Sequence, residues 1–207
     1  MSNCFLVNKG GQNIDHISEY LSRLPSFERG FSESIISPEK RFEYVFSRAI
    51  LREILATYLQ GEPIISIGDQ GKPYLQNSTL QFNLSHSNEW VLIGVSDTHP
   101  IGVDIEEIKP IPDWKVIEEI GASQLGFSNM GFSAPSDLID FYQQWTQREA
   151  LLKACGYGLT PPTSLIDSTE SKGFTSHHQI IDRSYSMSAV ILAPGATLNC
   201  LMLELNS

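Results

Sequence analysis

The sequence predicts an α+β protein of two lobes, each a small, mostly antiparallel sheet packed on one long helix. Three observations carry that prediction. Two long segments have helical periodicity, short apolar runs broken by turns follow each of them, and no regular strand–helix alternation calls for a parallel sheet.

The first long segment opens on Ser37, Pro38 and Glu39, a capping hydroxyl, a first-turn proline and an acid suited to the helix dipole. Phe42, Phe46, Ala49, Ile50, Ile54 and Tyr58 then recur at helical spacing, with Arg41, Arg48 and Arg52 on or beside the margins, and Gly61 marks the expected stop. Apolar runs at 64–67, 80–84, 90–96 and 101–106 read as strands, separated by turns at 68–71 and 97–100. A second helix is expected over Ser133 to Gly156, with Leu138, Phe141, Trp145 and Leu152 on one face. Strand-like runs at 186–193 and 198–205 follow, and a strand precedes the first helix. The lobes are expected at residues 1–105 and 106–207, with the active-site cleft between them, although no sequence repeat relates them. Gly121 to Pro135, rich in Gly, Ser and Phe, reads as a loop.

Composition narrows the function. The chain has 207 residues, 41% of them hydrophobic, as in an ordinary globular protein. A formal net charge of −10 disfavours nucleic acid and anionic membranes as partners, so anionic ligands must meet local basic patches. Cys4, Cys155 and Cys200 are odd in number and lack Cys-x-x-Cys spacing, which suggests neither a disulfide framework nor a zinc site but thiols in a reducing cytosol. The segment Met1 to Gly11 lacks the features of a secretory signal, and a cytoplasmic location is expected.

On the expected strand at 101–106, Asp104 and Glu106 share one face, open to solvent, while Val103 and Ile105 face the core. Adjacent like charges favour a cation between them, though a solvated strand end accounts for the pattern equally well. On the second helix Trp145, Glu149 and Lys153 fall four apart, and a surface Glu149–Lys153 ion pair is the plainer reading. Phe82-Asn83-Leu84-Ser85-His86-Ser87 leaves a strand for small polar residues that could hold phosphate, and Gly71-Lys72-Pro73 is a turn with one cation. Either could equally be structural. His177 and His178 would point to opposite faces of a strand and could not chelate together, and Gly156-Tyr157-Gly158 lacks the spacing of a nucleotide loop.

Taken together, Gly102-Val103-Asp104-Ile105-Glu106 and the later Trp145-Thr146-Gln147-Arg148-Glu149-Ala150-Leu151-Leu152-Lys153 resemble the paired signatures of 4′-phosphopantetheinyl transferases of the surfactin-synthetase-activating type. Gly71-Lys72-Pro73, the 82–87 segment and Gly156-x-Gly158-Leu159 are similar to further landmarks of that family, in the same order. The resemblance covers residues 37 to 159. It implies a monomer of two pseudo-twofold lobes that transfers phosphopantetheine from coenzyme A to a serine of an apo-acyl or peptidyl carrier protein. By the same resemblance Asp104, Glu106 and Glu149 would hold Mg²⁺ (or Mn²⁺), Lys40, Arg48, Lys72, Ser85, His86 and Lys153 would contact coenzyme A, and Glu149 and Lys153 would assist the chemistry. Arg148 stands where the family usually has lysine, and the 121–135 stretch departs from its charged counterpart. A metal nuclease is the rival enzyme, but Glu106 is followed by Glu107 and Ile108 rather than by a lysine two residues on. A silent binding module would have lost a metal acid or Lys153, and neither is lost.

Overall fold

A computed structural model describes residues 1–76, 78–111, 135–156 and 173–204. The expected 121–135 loop (apart from Pro135), the Gly158-Leu159 landmark and the start of the second helix at 133–134 lie outside the described residues.

The chain begins with strand β1 (Ser2–Asn8), a 3₁₀ turn (Ile14–His16), and helices α1 (Ile17–Leu21), α2 (Ser26–Glu33) and α3 (Pro38–Ala56). There follow β2 (Ile65–Ile67), β3 (Pro73–Leu75), β4 (Gln81–Ser87), β5 (Trp90–Ser96) and β6 (Ile101–Glu107). Helix α4 (Leu138–Cys155) precedes β7 (Thr175–Ile181), β8 (Tyr185–Ile191) and β9 (Asn199–Leu203).

The mixed α+β class is as expected, with small and largely antiparallel sheets. One sheet has the order β4-β5-β1-β9 and another β6-β8-β7, while β2 and β3 form a separate hairpin. Only β9, parallel to β1, departs from antiparallel pairing among the described strands. Side-chain alternation stacks these parts in layers. Val7, Phe82, Val91, Ile93 and Val95 pack with Phe42, Phe46 and Ile50 of α3. From the other face of the same sheet, Cys4, Leu6 and Leu92 meet Val103, Ile105, Met187 and Ala189 of the second sheet. The second sheet's far face lies under α4, where Val190 packs with Ala150, Leu151 and Ala154. Helix, sheet, sheet, helix is therefore the order. Strand β5 is buried along its whole length, as a strand covered on both faces must be.

Caps set the helix ends. The Ser37 side chain accepts from the Lys40 amide at the start of α3. That helix ends at Ala56, short of the expected Gly61, because the amides of Thr57 and Tyr58 bond back to Ile54 and Leu55 and tighten the last turn. Asp137 caps α4 through the Asp140 amide, and Gly156 closes it in the left-handed conformation at φ 82°.

Other features differ from expectation. The short helices between residues 17 and 33 lack a long apolar period and were not anticipated. Strand β4 continues to Ser87, beyond the expected end at Leu84. Cys4 and Cys200, 196 residues apart, are joined as a disulfide, which overturns the reading of all three cysteines as thiols. The physical reason is the parallel pairing of β1 with β9, which puts Cys4 opposite Cys200, a proximity that sequence spacing cannot show. The division expected after residue 105 falls within β6, whose full length pairs with β8.

Candidate functional site

Strand β6 positions the acids. Val103 and Ile105 face the first sheet, so Gly102, Asp104 and Glu106 face α4. Helix and strand touch backbone to backbone there: a Cβ built on Gly102 would lie 2.0 Å from the Ala150 carbonyl oxygen and 2.3 Å from the Ala154 nitrogen. Asp104 is consequently only 3% exposed, not on a solvent-open face. Burial requires partners, and Asp104 has them. Lys153 Nζ lies 2.6 Å from its Oδ1 and the Ser85 hydroxyl donates to the same oxygen at 3.0 Å.

The surface Glu149–Lys153 pair is not what forms. Lys153 turns to Asp104 and also donates to Ser85 Oγ at 3.1 Å, while Glu149, itself buried, pairs with Arg148 at 2.8 Å. Arg148 also lies over the Trp145 ring. The i,i+4 spacing thus brings both side chains to one face, and the acid on β6 competes for the lysine.

Burial, and after it the neighbouring Asp104 charge, pushes the Glu106 carboxyl up to about 7, with Lys153 opposing. Burial likewise raises Glu149, against the pull of Arg148. Among the described residues no three His, Cys, Asp or Glu side chains stand grouped as a ready metal cage. The donor set nevertheless suits a hard divalent cation. Asp104 Oδ2 is buried with no hydrogen-bond partner among the described residues, and Glu106 and Glu149 resist ionisation beside it.

Around these acids the predicted anion-binding residues divide into separate places. Lys72 and Lys153 line one cavity of about 170 Å³ with Asn83 and Gly156. The Lys72 ammonium donates to the Ala154 carbonyl at 2.9 Å and to that of Ile101 at 3.5 Å, and burial lowers its pKa to about 8. Ser85 and His86 face opposite sides of β4: Ser85 reaches Asp104, whereas His86 Nδ1 meets Glu43 of α3 at 3.1 Å. The His86 hydrogen bond holds Glu43 below the usual carboxylate range, helped by the charges of Lys9 and Lys40. Arg48 lies elsewhere, over Tyr44 in a cavity of about 330 Å³ shared with Phe27 and Ile67.

Two residues of this neighbourhood were not singled out in the sequence. Asn83 lines the two-lysine cavity and accepts the Val103 amide at 2.9 Å; its place in the alternating 82–87 pattern was the available signal. Lys9, a lone lysine before a Gly-Gly turn, carried none.

No family profile matches the chain. Curated relatives do. It is 29% identical over 160 residues to the 4′-phosphopantetheinyl transferase AcpT of Escherichia coli O157:H7, covering 76% of this chain and 80% of that one. It is 32% identical over 161 residues to the 4′-phosphopantetheinyl transferase HetI of Nostoc sp. (72% and 66%), and 30% identical over 147 residues to the 4′-phosphopantetheinyl transferase gsp of Aneurinibacillus migulanus (64% and 61%). The matched region is thus a little under two thirds of the length of the latter two. These similarities make the chain a transferase. More particularly, it is an enzyme of the 4′-phosphopantetheinyl transferase type. Among the described residues, no helix is long and apolar enough to cross a membrane.

Proposed function

We propose that the chain transfers 4′-phosphopantetheine from coenzyme A to a serine of an apo-acyl or peptidyl carrier protein, with Mg²⁺, releasing adenosine 3′,5′-bisphosphate. The observation that carries this reading is the junction of β4, β6 and α4, where Lys153 meets Asp104 and Ser85 beside Glu106 and Glu149. The two lobes, residues 1–105 and 106–207, enclose the cleft that takes the coenzyme. The surfactin-synthetase-activating subtype, the pseudo-twofold relation and a monomeric, cytoplasmic state belong to the same proposal.

Asp104, Glu106 and Glu149 would hold the cation. Bound there, Mg²⁺ supplies Lewis-acid neutralisation of pyrophosphate charge. Lys153 and Lys72 share a cavity that suits an anion and place positive charge where the leaving phosphate develops negative charge. Lys40 and His86, grouped with Glu43, form a second polar place, and Arg48 a third, for the remaining polar parts of the coenzyme. Glu149 is a candidate to accept the proton of the attacking serine, directly or through a water, although coordination of the cation would weaken it as a base, and Lys153 is the better-supported helper.

The test is incubation with coenzyme A, Mg²⁺ and a panel of apo-carriers, followed by intact-mass spectrometry. A phosphopantetheine adduct is expected with at least one carrier, and none with Asp104→Ala. No adduct on any carrier sinks the transfer reaction; full loading by Asp104→Ala sinks the metal assignment.

A further inference from the structure

The edge of β6 presents a problem that its own sheet does not solve. In an antiparallel ladder alternate amides point to opposite sides. One set on β6 is directed to β8, and the other, Val103, Ile105 and Glu107, points away from it. Val103 and Ile105 are fully buried, so their amides need acceptors. Strand β4 lies alongside but pairs only with β5.

The acceptors are side chains. Asn83 Oδ1 accepts from the Val103 amide at 2.9 Å, Ser85 Oγ from Ile105 at 3.4 Å and Ser87 Oγ from Glu107 at 3.1 Å. The offset is 20 residues at every rung. The residues that alternate with them on β4 face the other way: Phe82 and Leu84 turn into the core around α3, and His86 turns to Glu43 of that helix. A strand that alternates core residues with short oxygen-bearing ones therefore closes the open edge of a second sheet.

We propose that Asn83, Ser85 and Ser87 form a side-chain ladder that fixes the register of β6, with Asn83 a positioning residue for Asp104 and Glu106. This rests on the reading of those acids as the active site. The middle rung ties the ladder to the chemistry: the Ser85 hydroxyl takes the Ile105 amide and the Lys153 ammonium and donates to Asp104, using its whole hydrogen-bonding capacity. A one-residue slip of β6 would turn Asp104 and Glu106 to the apolar inter-sheet face. A two-residue slip would keep the face but carry Asp104 away from Lys153. The ladder opposes both.

The experiment compares wild type, Asn83→Ala and Asn83→Asp by amide hydrogen exchange and by steady-state carrier loading. Asn83→Ala removes the acceptor for a buried amide, so Val103 should exchange about tenfold faster or more, while Leu92 and Ile93 in β5 are unchanged. Turnover should fall about tenfold, with the loss in kcat larger than any change in the KM for coenzyme A, because the Oδ1 that holds the Val103 amide is turned to β6 while Asn83 also borders the two-lysine cavity. Asn83→Asp keeps the acceptor oxygen and should restore slow exchange at Val103; its added charge beside the two lysines is read separately, in the KM for coenzyme A. Unchanged exchange at Val103, unchanged turnover, or an aspartate whose Val103 amide exchanges as fast as in the alanine variant overturns the proposal; so does a raised KM at constant turnover in Asn83→Ala, which would make Asn83 a substrate contact alone. If Asn83→Ala does not fold, Ser87→Ala is read in the same way at the Glu107 amide, with Ser87→Thr as the rescue. A wild-type chain that loads no carrier defeats the proposed reaction alone, since the exchange measurements still judge the ladder.

Discussion

Gly102 is where the smallest substitution should do the most damage. An added Cβ would stand 2.0 Å from the Ala150 carbonyl oxygen, 2.3 Å from the Ala154 nitrogen and 3.0 Å from the Ala154 Cα. Real Cβ contacts essentially never fall below 3.0 Å, so α4 would have to retreat by about 1 Å, the difference between 3.0 and 2.0 Å. No rotamer change relieves this, because every clashing atom is backbone. Overpacking of this kind costs about 1–3 kcal/mol, and a clash with backbone alone belongs at the upper end. Lys153 precedes Ala154, so the same retreat opens its 2.6 Å contact with Asp104. Urea unfolding of Gly102→Ala should show about 3 kcal/mol lost, with carrier loading reduced at least about tenfold. Gly30 is the internal contrast: inside α2, with nothing within 4 Å of a built Cβ, its change to alanine should stabilise by about 0.5–1 kcal/mol. If Gly102→Ala unfolds within about 0.5 kcal/mol of wild type and loads carriers normally, the close approach of α4 to β6 is wrong.

Two further outcomes follow from the charges at the site. The Glu106 carboxyl moves from its ordinary 4.5 to about 7 on folding, so between those pH values the folded chain keeps a proton that the unfolded chain has released. Stability measured with a chelator should therefore fall as pH rises from 4.5 to 7, by about 3 kcal/mol from this group, and Glu106→Gln should flatten the slope. An equally steep slope in Glu106→Gln would show that other groups cause it. Lys72→Met keeps the apolar stem but takes the ammonium from the Ala154 and Ile101 carbonyls, and should cost about 1 kcal/mol by urea unfolding while raising the KM for coenzyme A. An unchanged KM removes Lys72 from the substrate site and leaves it as a support for the end of α4.

Much of this was legible in the chain itself. Ser37 and Pro38 at one end of α3, and Gly156 at the end of α4, have local jobs, capping a helix or closing it, so neighbouring residues reveal them. The β6 alternation shows which residues share a face, because the period of a strand is fixed by its own backbone. That Asp104 and Glu106 lie together, and that Glu149 and Lys153 share a helix face, was determined by sequence.

What covers a face is a different matter, and only the tertiary structure decided it. Asp104 is buried rather than solvated because α4 lies on Gly102, and Lys153 takes Asp104 rather than Glu149 because packing brings the β6 acid within 2.6 Å. Cys4 meets Cys200 because β9 returns beside β1. Asn83, Ser85 and Ser87 read as small polar residues at a strand end until β6 sets its unpaired amides against them. Periodicity and capping act over one turn or two residues, so sequence displays them directly. Burial, ion pairing and register across strands depend on which distant segment arrives, and that was settled by the packing of the whole chain.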